Sequence, residues 1–86
     1  MISTAITVTT TATQIVASTP NATRTIWLEA VGNDINLGGS NVTTSNGITL
    51  KNGSQISIVL PPQNSLYAIV NSGSHTIKVF QPSGDY

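Results

Sequence analysis

The chain has 86 residues with three basic and three acidic side chains, one histidine, no cysteine and a formal net charge of zero. A length of this kind holds one domain, and the lack of cysteine excludes a disulfide framework and every thiolate metal site while leaving the redox compartment undetermined. Zero net charge argues against nucleic acid as a partner, because phosphate affinity comes from clustered Lys and Arg releasing counterions, and Arg24, Lys51 and Lys78 are few and far apart in sequence.

In chain order, Ala5-Ile6-Thr7-Val8-Thr9 alternates apolar and hydroxyl residues at period two, which sets Ile6 and Val8 on one face of a strand. Gln14 to Ala17 is a second short strand. Pro20 in Ser18-Thr19-Pro20-Asn21 donates no backbone hydrogen bond, so the chain is expected to turn there before its longest alternating segment, Arg24 to Val31. In that segment Ile26, Leu28 and Ala30 share a face, leaving Trp27, Glu29 and Val31 on the other. Gly32-Asn33-Asp34 is a turn signal, and Ile35-Asn36-Leu37 a short strand with Ile35 and Leu37 pointing the same way. Two adjacent turn segments, Leu37 to Thr44 and Ser45 to Leu50, then interrupt the strands and supply only glycines, hydroxyls and amides, apart from the apolar residues at their ends and Val42.

Ile48 and Leu50 resume the alternation. Lys51-Asn52-Gly53-Ser54 is expected to form a tight hairpin turn of type I′, since Asn-Gly tolerates the positive φ angles which that turn requires. Gln55 to Leu60 is a strand with Ile56, Ile58 and Leu60 on one face, stopped by Pro61-Pro62. The nearly all-apolar Leu66 to Val70 predicts burial on both faces. Asn71-Ser72-Gly73-Ser74 turns into a last strand, His75 to Phe80, in which Phe80 lies opposite Ile77 and Val79. Gln81 to Tyr86 is expected to be a loose tail, leaving residues 1–80 as the domain.

Seven to eight short strands with no segment of helical period predict an all-β fold. The specific expectation is a small antiparallel β-sandwich of jelly-roll or immunoglobulin-like character, with short linkers joining antiparallel neighbours. A chain this short buries roughly 60% of the surface its unfolded form exposes, while ordering it opposes folding by about 1.5 kcal/mol per residue. Neighbouring subunits are the expected remedy. Charged residues make up 7% of the chain, far below the roughly 25% usual for soluble domains, and a surface so poor in charge is weakly protected against association.

Chemistry at neutral pH needs side chains that move protons, attack carbon or hold metals, and the supply here is small. His75 has no second histidine or cysteine to share a metal with. Glu29 and Asp34 could form a glycosidase-type pair only if their carboxyls stood roughly 5 to 9.5 Å apart, and a solvated strand face and a turn explain them better. Gly38 and Gly39 lack the Gly-x-x-x-x-Gly-Lys context of a phosphate loop, so turn geometry is their expected role. Asn21-Ala22-Thr23, Asn41-Val42-Thr43 and Asn52-Gly53-Ser54 fit the glycosylation sequon as a by-product of composition. No catalytic, cofactor or metal site is assigned, and no cofactor is expected. No stretch approaches the ~20 apolar residues of a membrane span, so no membrane partner is expected, and Met1-Ile2-Ser3-Thr4-Ala5 lacks the pattern of a signal peptide.

Three stretches taken together resemble small structural proteins of tailed bacteriophages: Thr9 to Val16, Leu37-Gly38-Gly39-Ser40-Asn41-Val42-Thr43-Thr44-Ser45-Asn46-Gly47, and Leu66-Tyr67-Ala68-Ile69. In such proteins a strand ending in Leu-Gly-Gly leads to Val-Thr-x-x-x-Gly and a further strand. The chain departs from that pattern in Pro61-Pro62 and in the residues after Phe80. The resemblance implies a non-enzymatic virion component made in the bacterial host cytoplasm. It would be a capsid decoration or cement protein on the capsid surface, with the major capsid protein and copies of itself as partners and a trimer as the favoured oligomer. A tail or fibre component carrying a carbohydrate-binding module is the alternative, with Trp27 and Tyr67 as stacking platforms. The aromatics Trp27, Tyr67 and Phe80 sit opposite core-facing residues and form the expected interface, since exposed apolar patches mark contact surfaces and Trp and Tyr are enriched at interface hot spots.

Overall fold

Period-two alternation resolves into eight strands: β1 (Ile2–Val8), β2 (Thr13–Val16), β3 (Arg24–Val31), β4 (Ile35–Gly38), β5 (Ile48–Leu50), β6 (Gln55–Leu60), β7 (Leu66–Ile69) and β8 (His75–Gln81). The structure, a computed structural model, describes residues 2–18 and 23–81. Most of the turn expected at Ser18 to Asn21, and the tail expected beyond Gln81, lie outside the described residues. Among the described residues there is no helix.

The strands form two four-stranded antiparallel sheets, in the order β1-β8-β3-β6 and β2-β7-β4-β5. Pairing is nested: β1 with β8, β2 with β7, β3 with β6 and β4 with β5. Contacts of β3 with β8 and of β4 with β7 join these pairs into the two sheets. The path is that of one long hairpin folded over on itself, which is the jelly roll. An immunoglobulin-like sandwich sets several successive strands side by side, whereas here only β4 and β5 are both consecutive and paired. The expectation that short linkers join antiparallel neighbours is therefore corrected. Every other linker carries the chain across the core from one sheet to the other, because each strand's apolar face must meet the opposite sheet.

Lys51 to Ser54 is one of these corners and not a hairpin. Ser54 N–H donates to Lys51 O at 2.9 Å, and Gly53 has φ +79° while Asn52 is not among the positive-φ residues. One left-handed residue at the third position gives a type II turn, where type I′ needs two. Side chains hold the corner against the loop after β3: Asn52 Oδ1 accepts from Gly32 N–H at 3.0 Å, and Asp34 Oδ1 accepts from Asn52 N–H at 2.7 Å. After β6, the Pro61-Pro62 pair is followed by Gln63 at φ +65°, the left-handed residue that a turn led by proline calls for.

Inward residues of both sheets make the core, with Val8, Ile26, Leu28, Ile35, Leu50, Val70 and Ile77 fully buried. Burial alternates residue by residue along β3, as its sequence predicts. Leu66, Ala68, Ile69 and Val70 are all buried, which bears out burial on both sides of that segment. Several strand ends differ from expectation, and two of them face each other. β1 begins at Ile2 and β8 continues to Gln81, because Ile2 and Gln81 pair across the two strands. A backbone ladder needs no apolar side chain to extend it, so the polar Gln81 belongs to the domain.

Arg24 is the one charged residue on the core side of β3, and it is buried. Its guanidinium donates from Nη1 to Ala17 O at 2.6 Å and from Nη2 to Asn64 O at 3.1 Å. The planar fork thereby ties the end of the β2 segment to the loop before β7, 40 residues further along the chain than Arg24.

Candidate functional site

The outward faces of the two sheets differ, and that difference locates the candidate site. On the β2-β7-β4-β5 sheet the segment between β4 and β5, residues 39–47, folds back over the strands. Thr43 Oγ1 accepts from Ser45 N–H and Asn46 N–H, both at 3.2 Å, while Asn46 Oδ1 accepts from Thr43 N–H at 2.7 Å. Gly47 N–H donates to Thr43 O at 3.0 Å. This self-contained turn drives Val42 down onto the sheet, where it is buried together with Asn36. Thr49 Oγ1 satisfies the Asn36 side-chain oxygen at 3.0 Å.

Glycine is required beneath Val42 for space, not for turning. A Cβ at Gly38 would stand 2.9 Å from Val42 Cγ2, and one at Gly47 would stand 2.8 Å from both Val42 Cγ2 and Asn36 Cβ. Neither glycine has the positive φ found at Gly32, Gly53 and Gly73, so the turn-geometry reading of Gly38 gives way to close packing. Gly47→Ala is expected to lower the unfolding free energy by about 1–3 kcal/mol through overpacking. Gly39→Ala meets only an ordinary 3.5 Å contact with Asn41 Oδ1 and should be nearly neutral. Urea midpoints of the two variants check the contrast; equal values would remove the close-packing role.

No such cover lies on the β1-β8-β3-β6 sheet among the described residues. Its outward rows follow from the register. One row runs Ser3, Phe80, Trp27, Ser57; the next runs Ala5, Lys78, Glu29, Gln55; Thr7, Thr76 and Val31 follow. Trp27 is 47% exposed and Val31 is exposed as well. Trp27 and Phe80 are direct cross-strand partners, and with Glu29, Gln55 and Lys78 they border a shallow depression of about 400 Å³. Gln55 Nε2 donates to Glu29 Oε2 at 3.0 Å and Lys78 Nζ stands 3.8 Å from Glu29 Oε1. That ion pair is largely solvated and adds little stability. Its effect is to hold polar groups in place beside an aromatic shelf.

Of the three aromatics expected at an interface, Trp27 and Phe80 come together and Tyr67 does not join them. Tyr67 is half-buried on β7 of the other sheet, beside Gln14 and Gly38. Alternation along a strand specifies which residues share a face but not which sheet the strand enters, so Trp27 and Tyr67 lie on opposite sides of the sandwich and cannot form one stacking platform. The candidate carboxylate pair is likewise divided: Glu29 engages Lys78 and Gln55, while Asp34 stands 3.7 Å from Lys51 Nζ and accepts from Asn52. His75 is half-buried at the start of β8, beside Gly32 and Gly73. Among the described residues no three His, Asp or Glu side chains group as metal ligands, and no helix is long and apolar enough to cross a membrane.

The residues that sequence reasoning missed are Gln55, Lys78 and Arg24. Gln55 and Lys78 sit on outward positions of their strands, and only the β6-β3-β8 register brings them to Glu29. For Arg24 the signal was present, since it shares parity with Ile26, Leu28 and Ala30. Compared with protein-family models, with curated proteins and with solved structures, the chain matches none.

Proposed function

We propose that the chain is a non-enzymatic contact protein of a bacteriophage virion, a capsid decoration or cement component that binds the outer shell through the outward face of the β1-β8-β3-β6 sheet. The observation that carries this reading is the exposed Trp27, with half-buried Phe80 beside it, on a face that no other segment crosses among the described residues, while Val42 packs over part of the opposite face. An apolar row on a nearly uncharged protein gains from being buried against a partner, at roughly 25 cal/mol per Å². Hydroxyl-rich neighbours such as Ser3, Ser57, Thr7 and Thr76 can hydrogen-bond to that partner without the desolvation penalty of ions. Glu29 is engaged by Gln55 and Lys78, and Asp34 by Asn52 and Lys51, and carboxylates occupied in this way support a role without catalysis. The virion setting rests on the sequence resemblance.

The test has two arms. Mass spectrometry of purified particles should find the chain in mature virions. Rebinding of the purified protein to shells lacking it should weaken about 30-fold for Trp27→Ala, the loss of an interface hot spot worth about 2 kcal/mol, with the thermal midpoint nearly unchanged. Absence from particles, or unchanged rebinding by the variant, would count against the proposal.

A second reading is favoured by the polar groups around the depression. An aromatic shelf flanked by Glu29, Gln55 and Lys78 can stack a sugar ring and hydrogen-bond its hydroxyls, as a tail or fibre module that binds carbohydrate would require. Glycan-array binding that disappears in Trp27→Ala would select this reading over capsid contact.

A further inference from the structure

We propose that two copies of this chain pair edge to edge through β6, antiparallel and two-fold symmetric about Ser57, so that the β1-β8-β3-β6 sheets of both copies become one eight-stranded sheet. β6 ends its sheet, and among the described residues nothing pairs with its outer edge. Ala30 N–H donates to Ser54 O and Ala30 O accepts from Gly53 N–H, so Ala30 directs its backbone groups toward the β6 side. Backbone direction alternates along a strand, and the register sets Leu28 against Ile56 and Ile26 against Ile58. Gln55, Ser57 and Val59 therefore carry their N–H and C=O groups on the open edge.

Proteins protect such edges with Lys, Pro, bulges or inward charges. Gln55-Ile56-Ser57-Ile58-Val59-Leu60 has none of these within its length. The β1 edge is one residue longer, but its outward residues are Ser3, Ala5 and Thr7, whereas β6 exposes Val59 at 66% and borders Ile48 at 72%. β2 and β5 have only four and three residues. Ile48, Ile56 and Ile58 also line an apolar opening of about 110 Å³ between the two sheets at this flank.

The occupant follows from the register. An antiparallel partner must present the same alternation of free groups, and β6 itself does so when Ser57 faces Ser57. Gln55 then faces the second copy's Val59, and Ile56 faces its Ile58, with no charge opposed to like charge. Centring on Val59 instead would bring Pro61, which has no N–H, opposite Ser57. Pairing about Ser57 also extends the Trp27 row across the junction. The two Trp27 residues would be separated by three strand spacings, about 14 Å, on one continuous face. An isologous contact of this kind closes at two copies, which replaces the threefold order implied by the resemblance.

The test uses charge at the symmetry point. Ser57 is exposed, so Ser57→Lys and Ser57→Glu should fold, with circular dichroism and thermal midpoints near those of the wild type. Wild-type protein should sediment as a dimer. Each variant alone sets like charges opposite one another and should associate about 100-fold more weakly or less, while an equimolar mixture of the two should regain the dimer. Dimeric variants, a mixture that stays monomeric, a wild-type trimer, an open series of larger species, or a wild-type monomer at millimolar concentration would each overturn the proposal. Capsid rebinding through Trp27 is a separate measurement, so failure of that reading leaves this one standing or falling by itself.

Discussion

Leu28→Ala is expected to remove about 3–5 kcal/mol of unfolding free energy, the upper part of the range for a buried leucine. Leu28 is 1% exposed and sits mid-strand in β3, paired to Val79 of β8 on one side and Ile56 of β6 on the other. Both neighbours are fixed by backbone ladders, so the walls of the resulting cavity have little freedom to collapse. A domain of this length holds on the order of 4–13 kcal/mol in all, and the loss is therefore about a quarter of it or more. Ile56→Ala removes a similar volume from the half-buried, open side of the core and should lose only about 1–2 kcal/mol. Chemical denaturation of both variants decides the matter: equal losses would mean that the core is not centred on β3.

The second large effect concerns Arg24 and runs against conventional substitution logic. Arg24→Lys retains a positive charge in a buried position, but an ammonium is a single point donor and cannot reach Ala17 O and Asn64 O together as the guanidinium fork does. The burial penalty stays while at least one charge-assisted hydrogen bond, worth about 1.5–3 kcal/mol, is lost. Arg24→Met loses both bonds but also relieves the buried charge, and its long apolar stem still packs beside Ile26. The lysine variant should therefore be the less stable of the two, by about 1 kcal/mol or more, with a midpoint on the order of 10 °C below the wild type. Thermal unfolding of the pair tests the ordering, and a lysine variant more stable than the methionine variant would show that reach to the two carbonyls is unimportant.

Much of the fold was legible because strand alternation is local information. The faces of β3, the pairing of direction between Ile35 and Leu37, the double burial of Leu66 to Val70 and the stop at Pro61 all follow from residues within a few positions of one another. The outward orientation of Trp27 and Phe80 was legible for the same reason. What was misread depended on distant partners. Asn52-Gly53 carries the dipeptide of a hairpin, yet it turns a corner between sheets because β5 pairs with β4 and β6 with β3. Gly38 and Gly47 look like turn residues, yet their missing Cβ atoms make room for Val42.

By itself, then, the order of residues determined an all-β chain of short strands, the inward and outward residue of each, and a surface with very little charge. Only tertiary structure decided the nested pairing of β1 with β8 through β4 with β5, the two carbonyls that the Arg24 fork reaches, the packing of Val42 over part of one sheet and the placing of Trp27 and Tyr67 on different sheets. The physical reason is that a period of two assigns each side chain to one of two faces. The choice of sheet and of neighbour is made by hydrogen bonds and apolar contacts between residues up to 79 positions apart, as Ile2 and Gln81 are, and local pattern carries no record of it.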